Sequence, residues 1–219
     1  MAVLAVLVVA LLAWIVWFSS FLDTRTVEVE GLTTLGADQV RAVAEVPLGG
    51  PLARVDTDAV EERLQKRPRI RSVEVTRSWP HTVTISVVER EAVVWSREAG
   101  EIRGIDRFGI DYRSFAKVPA GLIEADIQAT DADVRLETTR AIAEVAQDLR
   151  TEKPSWLGRV RAITGSTQDD VTIEMKSGRT IVWGSADQTK RKLGVLRTLL
   201  RIDARGYDVS APDQPTTRD

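Results

Sequence analysis

The residues of this 219-residue chain that could do chemistry are few. Cysteine is absent, which removes thiolate nucleophiles, disulfides and zinc–thiolate sites together. His81 is the single histidine, so a Ser-His-Asp triad or a histidine-based metal site would depend on one side chain lying in the Ser78-Trp79-Pro80-His81 turn. Carboxylates remain. Glu89-Arg90-Glu91 has the composition of a general acid/base pair, yet neighbours along a strand point to opposite faces, and the triplet is expected to form an ion pair at a domain junction. Asp169-Asp170 follows Gln168 in a turn and is not expected to hold a metal. Gly49-Gly50-Pro51 lacks the Lys-Ser/Thr ending and the strand context of a phosphate loop. No catalytic site, metal or cofactor is therefore expected. A formal net charge of -2, with acids and bases nearly balanced, supplies no field to gather nucleic acid.

With chemistry set aside, the elements must explain the chain. Ala2 to Leu22 carries no charge and only Ser19 and Ser20 as clearly polar residues, a run of the length that matches the bilayer core. Trp14, Trp17, Phe18 and Phe21 crowd its C-terminal end, where aromatic rings favour the membrane–water boundary. The run exceeds the apolar region of a signal peptide and lacks a basic start and a small-residue cleavage site, so it is read as a single transmembrane helix over residues 1–22.

Beyond it, Val27 and Val29 alternate in a short strand ending at Gly31. Ala37 to Val46 has helical spacing, as does a second segment capped by Asp56 or Thr57 that buries Val60 and Leu64. A hairpin follows, with Val73 and Val75 on one arm and Val83, Ile85 and Val87 on the other. This gives a β-α-α-β-β unit over residues 23–91. From Ala92 the pattern changes to a meander through Trp95, Ile102 and Ile105. A helix is expected from about Val134 to Leu149, and strands at Val160 to Ile163, Val171 to Met175 and Thr180 to Trp183. Ser185-Ala186-Asp187-Gln188 resembles a capping box before a last helix burying Leu193, Leu196 and Leu200. The overall class is α+β: a transmembrane helix, the β-α-α-β-β unit, then a mixed, mainly antiparallel β domain with packed helices over residues 92–211. Residues 212–219, with Pro212 and Pro215, are expected to fray.

The stretch from Arg67 through Arg77-Ser78-Trp79-Pro80-His81-Thr82 to Glu89-Arg90-Glu91 resembles the end of the POTRA domain of the FtsQ/DivIB family of bacterial cell-division proteins. Ile105-Asp106 with Phe108-Gly109, then Ser177 to Gly184, Lys192-Leu193 with Leu196, and Tyr207-Asp208-Val209-Ser210-Ala211-Pro212 are similar to that family's β domain. The resemblance covers essentially the whole chain. It implies a single-pass protein of the cytoplasmic membrane, N-terminus inside and both domains outside, acting at the division septum. It further implies a scaffold that joins FtsB-like and FtsL-like membrane proteins and so serves the septal peptidoglycan synthase complex. Two departures are visible. The short basic cytoplasmic tail of the family is absent before Met1, and no further C-terminal strand of the kind some members use for docking is expected after Pro212.

The candidate site that follows is a strand edge. If Tyr207, Asp208, Val209 and Ser210 form the last strand of the sheet, their outward backbone groups are open to an extended segment of a partner; the alternative is that the tail covers them or that they only supply core side chains. Ile181 and Trp183 are assigned to the core, and the Trp79 indole is expected to pack on the small domain while His81 is solvated. Lys190, Arg191, Arg197, Arg201 and Arg205 are read as one solvated basic face, with contact to acidic envelope components as the second reading. A membrane-anchored cell-wall enzyme and a sensor or adhesin ectodomain remain as alternatives, whereas an outer-membrane assembly factor would need a barrel that the sequence lacks.

Overall fold

The alternation in the first half of the chain becomes a three-stranded sheet. A computed structural model describes residues 1–8, 14 and 22–219, and the chain divides into two compact units, Met1–Arg90 and Glu91–Asp219. Residues 2–8 are helical, but most of the apolar run read as a membrane helix lies outside the described residues. Among those described, no helix is long and apolar enough to cross a membrane.

In the first unit, β1 (Thr26–Glu30), α1 (Ala37–Ala44), α2 (Thr57–Gln65), β2 (Ile70–Ser78) and β3 (Thr82–Glu89) follow in chain order, and the sheet order is β1-β3-β2. β1 runs parallel to β3 and β2 antiparallel to it, with Val73 opposite Val87 and Val75 opposite Ile85. This register places Val73, Val75, Val83, Ile85 and Val87 on one buried face, where they meet Val40 and Ala44 of α1 and Val60 and Leu64 of α2. Asp56 caps α2 by accepting from the Ala59 amide at 3.0 Å. α1 stops two residues before the expected Val46, because Pro47 bars its predecessor from helical geometry and Glu45 turns left-handed at φ 47.

Within the Glu89-Arg90-Glu91 triplet, read as an ion pair at a domain junction, the first carboxylate has a different role. Glu89 instead accepts from the amides of Thr33, Thr34 and Leu35 at 2.7, 2.8 and 2.9 Å, and from the Thr34 hydroxyl. Arg90 donates to the Pro68 carbonyl at 3.0 Å, and Glu91 pairs with Arg150 within the second unit. The physical reason is that the β1–α1 loop turns several amides to one point, and a carboxylate at the end of β3 satisfies them all.

The second unit holds β4 (Ala92–Glu98), β5 (Glu101–Asp106), β6 (Asp111–Phe115), β7 (Ile123–Ile127), α3 (Ala132–Glu152), β8 (Val160–Gly165), β9 (Val171–Met175), β10 (Thr180–Gly184), α4 (Thr189–Leu199), β11 (Gly206–Asp208) and β12 (Thr216–Arg218). They form one nine-stranded sheet in the order β12-β11-β10-β9-β8-β7-β4-β5-β6. β7, absent from the sequence reading, pairs in parallel with both β4 and β8. α3 is the crossover that a parallel β7–β8 pair requires, and it buries Ile142, Val145, Ala146 and Leu149 against Val94, Ile163 and Ile173. Asp131 extends this helix upstream of the expected Val134 by accepting from the amides of Asp133 and Val134.

α4 departs from its expected start. Ser185 and Asp187 bond to each other at 3.4 Å, and the helix opens at Thr189 behind Gln188, which is left-handed and makes no side-chain cap. Leu196 is buried as expected, but Leu193 and Leu200 are only partly covered, and Lys192 turns inward at 1% exposure. Its Nζ donates to the Ser185 carbonyl at 2.8 Å and lies 5.8 Å from the centre of the Trp183 ring. Burial pushes its pKa down, against the opposing pull of Asp187 and Asp169.

Two predictions follow from these anchors. Burial raises the Glu89 pKa, but the bonds from the Thr34 hydroxyl and the amides of Leu35, Thr33 and Thr34 outweigh it and hold the group down from 4.5 to about 2. A lowered folded pKa contributes stability above the unfolded value, lost as pH falls through the folded one, so Glu89→Ala is expected to cost about 1–2 kcal/mol at pH 7, allowing for solvent screening, and little near pH 2. Urea denaturation across that range measures it, and a pH-independent difference contradicts the assignment. Lys192→Ala is expected to destabilise by about 2–4 kcal/mol, and Lys192→Met, which keeps the packed stem, by less. Thermal melts that rank Met equal to or worse than Ala refute the role given to the stem.

Candidate partner-binding edge

Tyr207, Asp208, Val209 and Ser210 lie where the sequence places a late strand, but not at the border of the sheet. Gly206 to Asp208 pair in parallel with Thr180 to Val182 of β10 on one side. On the other side, Gly206, Tyr207 and Asp208 pair antiparallel with Arg218, Thr217 and Thr216. The tail expected to fray is thus a strand that covers this side, and the further C-terminal strand that the sequence reading excludes is present as β12. The return is built locally. Asp208 accepts from the Ser210 amide and hydroxyl at 3.0 and 2.7 Å, Gln214 donates to the Ala211 carbonyl at 2.9 Å, and Arg205 donates to the Arg218 carbonyl at 2.9 Å. Arg191 of α4 forms an ion pair with Asp213 in the same turn.

The four predicted residues divide by role. The side chains of Tyr207 and Val209 are buried, Tyr207 donating its hydroxyl to the Ile202 carbonyl at 2.8 Å and Val209 its amide to Val182 at 2.9 Å. Asp208 shapes the turn, and Ser210 is exposed beside Gly184, whose φ of 73 and lack of a Cβ permit that approach: a Cβ there would lie 2.8 Å from the Ser210 Cβ. Ile181 and Trp183 are fully buried, as expected of core residues. The border residues are Thr216, Thr217 and Arg218, all exposed, which the sequence reading missed. Their signal, two β-branched threonines after Pro215, is shorter than any strand that alternation can identify.

The other singled-out residues lie apart from this edge. His81 is half-buried, its Nδ1 3.0 Å from the Asp23 carbonyl oxygen, and not solvated as expected. The Trp79 indole, expected to pack on the small domain, is 51% exposed at the hairpin tip because β2 and β3 carry the buried face without it. The five bases read as one face split. Lys190, Arg197 and Arg201 line a groove of about 730 Å³ with Lys153, Arg159 and Trp156, whereas Arg191 is engaged with Asp213. Among the described residues no group of three or more His, Asp or Glu side chains is placed to hold a metal ion.

The far end of the sheet differs from this one. β6 is bound to β5 by Arg103, which donates to Asp111 at 2.7 Å and to Ser114 at 2.7 Å and pairs with Glu101 at 3.3 Å. Charged side chains of this kind blunt an edge against further pairing. β12 offers two threonines and one arginine, Arg218, which makes a longer ion pair of 3.9 Å with Asp208 of β11.

Comparison with known proteins gives this geometry a lineage. The family profile described as "POTRA domain, FtsQ-type" matches residues 22–90, the extent of the β-α-α-β-β unit. The cell division protein FtsQ of Streptomyces collinus is 34% identical over 99% of this chain and 86% of its own length. That of Streptomyces coelicolor is 33% identical with the same coverage, and that of Mycolicibacterium smegmatis is 36% identical over 99% of this chain and 63% of its own. The likeness in sequence therefore extends through both units. The chain belongs to the FtsQ family of cell-division proteins.

Proposed function

We propose that the chain is a non-enzymatic scaffold of the division machinery, which takes up an extended segment of an FtsB-like or FtsL-like membrane protein along the outer side of β12. The observation that carries this reading is that β12 ends the nine-stranded sheet with its second side unpaired among the described residues, while the strand behind it is fixed by buried side chains. Backbone pairing supplies affinity in such strand addition, and side chains beside the edge supply selectivity. Tyr207 and Val209 anchor the strand behind, and Asp208 and Ser210 set the turn that returns the chain as β12. The edge at β6 is the weaker candidate, since its charged bonds oppose a neighbour.

The apolar run Ala2 to Leu22 is the tether in this reading, with the N-terminus inside and both units outside the cytoplasmic membrane, concentrated at the septum. The role is to gather the membrane proteins that bring septal peptidoglycan synthesis to the division site. It needs no nucleophile, metal or cofactor.

The experiment is a pull-down of FtsB-type and FtsL-type ectodomains with the wild type and with proline placed singly at Thr216, Thr217 and Arg218. Proline removes one amide donor, and amides alternate in direction along a strand, so loss of capture is expected at the outward-facing position or positions with near-ultraviolet circular dichroism unchanged. Capture that survives all three folded variants moves the docking site away from β12. Val209→Pro is a poorer probe, because its amide already serves Val182.

A further inference from the structure

The exposure of Trp79 stands out against its surroundings. The residue two places on, His81, is tied firmly into the first unit: its Nδ1 meets the Asp23 carbonyl at 3.0 Å, and its own carbonyl accepts from the amides of Arg25 and Thr26 at 2.8 and 3.3 Å. The opposite side of the same segment is held by another loop. Thr24 donates to the Gly50 carbonyl and Gly49 to the Thr24 carbonyl, both at 2.8 Å, and Asp23 bridges to Pro51. Leu48 stands at the head of that loop, 62% exposed. Two loops from distant parts of the sequence, each carrying a large exposed apolar side chain, thus flank residues 23 and 24, where the apolar run enters the fold.

No slack separates that run from the folded unit. Thr24 is 1% exposed and β1 begins at Thr26, so a membrane helix ending at Leu22 leaves no linker by which the unit could stand away from the bilayer. The polar interfacial layer is about 6 Å deep on each side of the hydrocarbon core. Trp79 is at most about 7 Å of chain from His81, and tryptophan is the side chain that favours this layer most, placing its ring among the headgroups with its N–H toward water. Arg25, paired with Asp23 at 2.8 Å and still more than half exposed, adds a cation at the same level for lipid phosphates.

We propose that Trp79 and Leu48 form a lipid-facing pair that dips into the headgroup layer of the bilayer crossed by Ala2 to Leu22 and fixes the orientation of the first unit on the membrane. The inference rests on the membrane-anchored reading above. It gives the hairpin tip a function that neither the sheet nor the core requires, and its partner is the lipid surface.

The test uses the full 219-residue chain reconstituted into phosphatidylglycerol–phosphatidylcholine vesicles. The difference in tryptophan emission between wild type and Trp79→Phe isolates the Trp79 signal. That signal is expected to lose most of its intensity in lipids brominated high on the acyl chain and to resist quenching by aqueous iodide. Because the sequence has no cysteine, Leu48→Cys carries a unique environment-sensitive fluorophore, and its emission is expected to shift to the blue in vesicles. This second reporter decides the matter if Trp79→Phe fails to fold. A chain that floats with the vesicles while Trp79 stays open to iodide and the residue 48 label keeps its aqueous emission overturns the lipid contact alone. A chain that does not float overturns the contact and the membrane anchor together.

Discussion

A backbone amide or carbonyl left outside regular pairing must find a partner, and the architecture of this chain follows from how that demand is met at the places where the ladders stop. Inside the strands the ladders suffice. At the β1–α1 loop they do not, and Glu89 gathers three amides and a hydroxyl onto one carboxylate. At the β10–α4 connection the helix opens without a side-chain cap, and the Ser185 carbonyl is taken instead by a buried lysine lying near Trp183. Beyond β11 the chain itself turns back, so that β12 accepts the exposed side of the sheet. Each of these devices comes from a residue distant in sequence or one that looks ordinary in it.

This explains what the sequence discloses and what it conceals. Amphipathic periods are local, and the helices around Val60, Ile142 and Leu196 and the strands around Val75, Ile85, Ile173 and Trp183 are legible from them. The cap of α2 is legible to within one residue, as Asp56 or Thr57, and Asp56 takes it through Ala59 three residues away. The Glu89 site is not, since its partners are more than fifty residues upstream and Glu-Arg-Glu by itself suggests an ion pair. β7 escapes although Ile123, Ala125 and Ile127 alternate with Glu124 and Asp126, because Ala, Glu and Asp are poor strand formers and its place between two parallel neighbours is a tertiary fact. Lys192 escapes because a lysine on a helix between Arg191 and Leu193 has every appearance of a solvated residue. The edge residues Thr216 to Arg218 escape because three residues have no period at all. Tyr207 to Ser210 are legible as a late strand, one strand short of the border of the sheet.

The two units divide the work in a manner consistent with membership of the FtsQ family. The POTRA-type unit holds the point at which the apolar run enters the fold, through His81 on one side and Gly49 to Pro51 on the other. The larger unit carries its extended sheet, with one end bound by the charged side chains around Arg103 and the other closed by a three-residue strand whose Arg218 pairs with Asp208.

The brevity of β12 has a consequence of its own. Three residues provide only a few outward backbone bonds, each worth about 0.5–1.5 kcal/mol net, so the strand addition proposed for this edge is weak between molecules free in solution. Confinement of both partners to one membrane changes the arithmetic, because a shared surface raises the effective concentration that each presents to the other. Under the proposed docking at β12, an edge of this length acts as a two-dimensional sensor, open while partners are dilute in the bilayer and filled when they crowd into the same narrow zone.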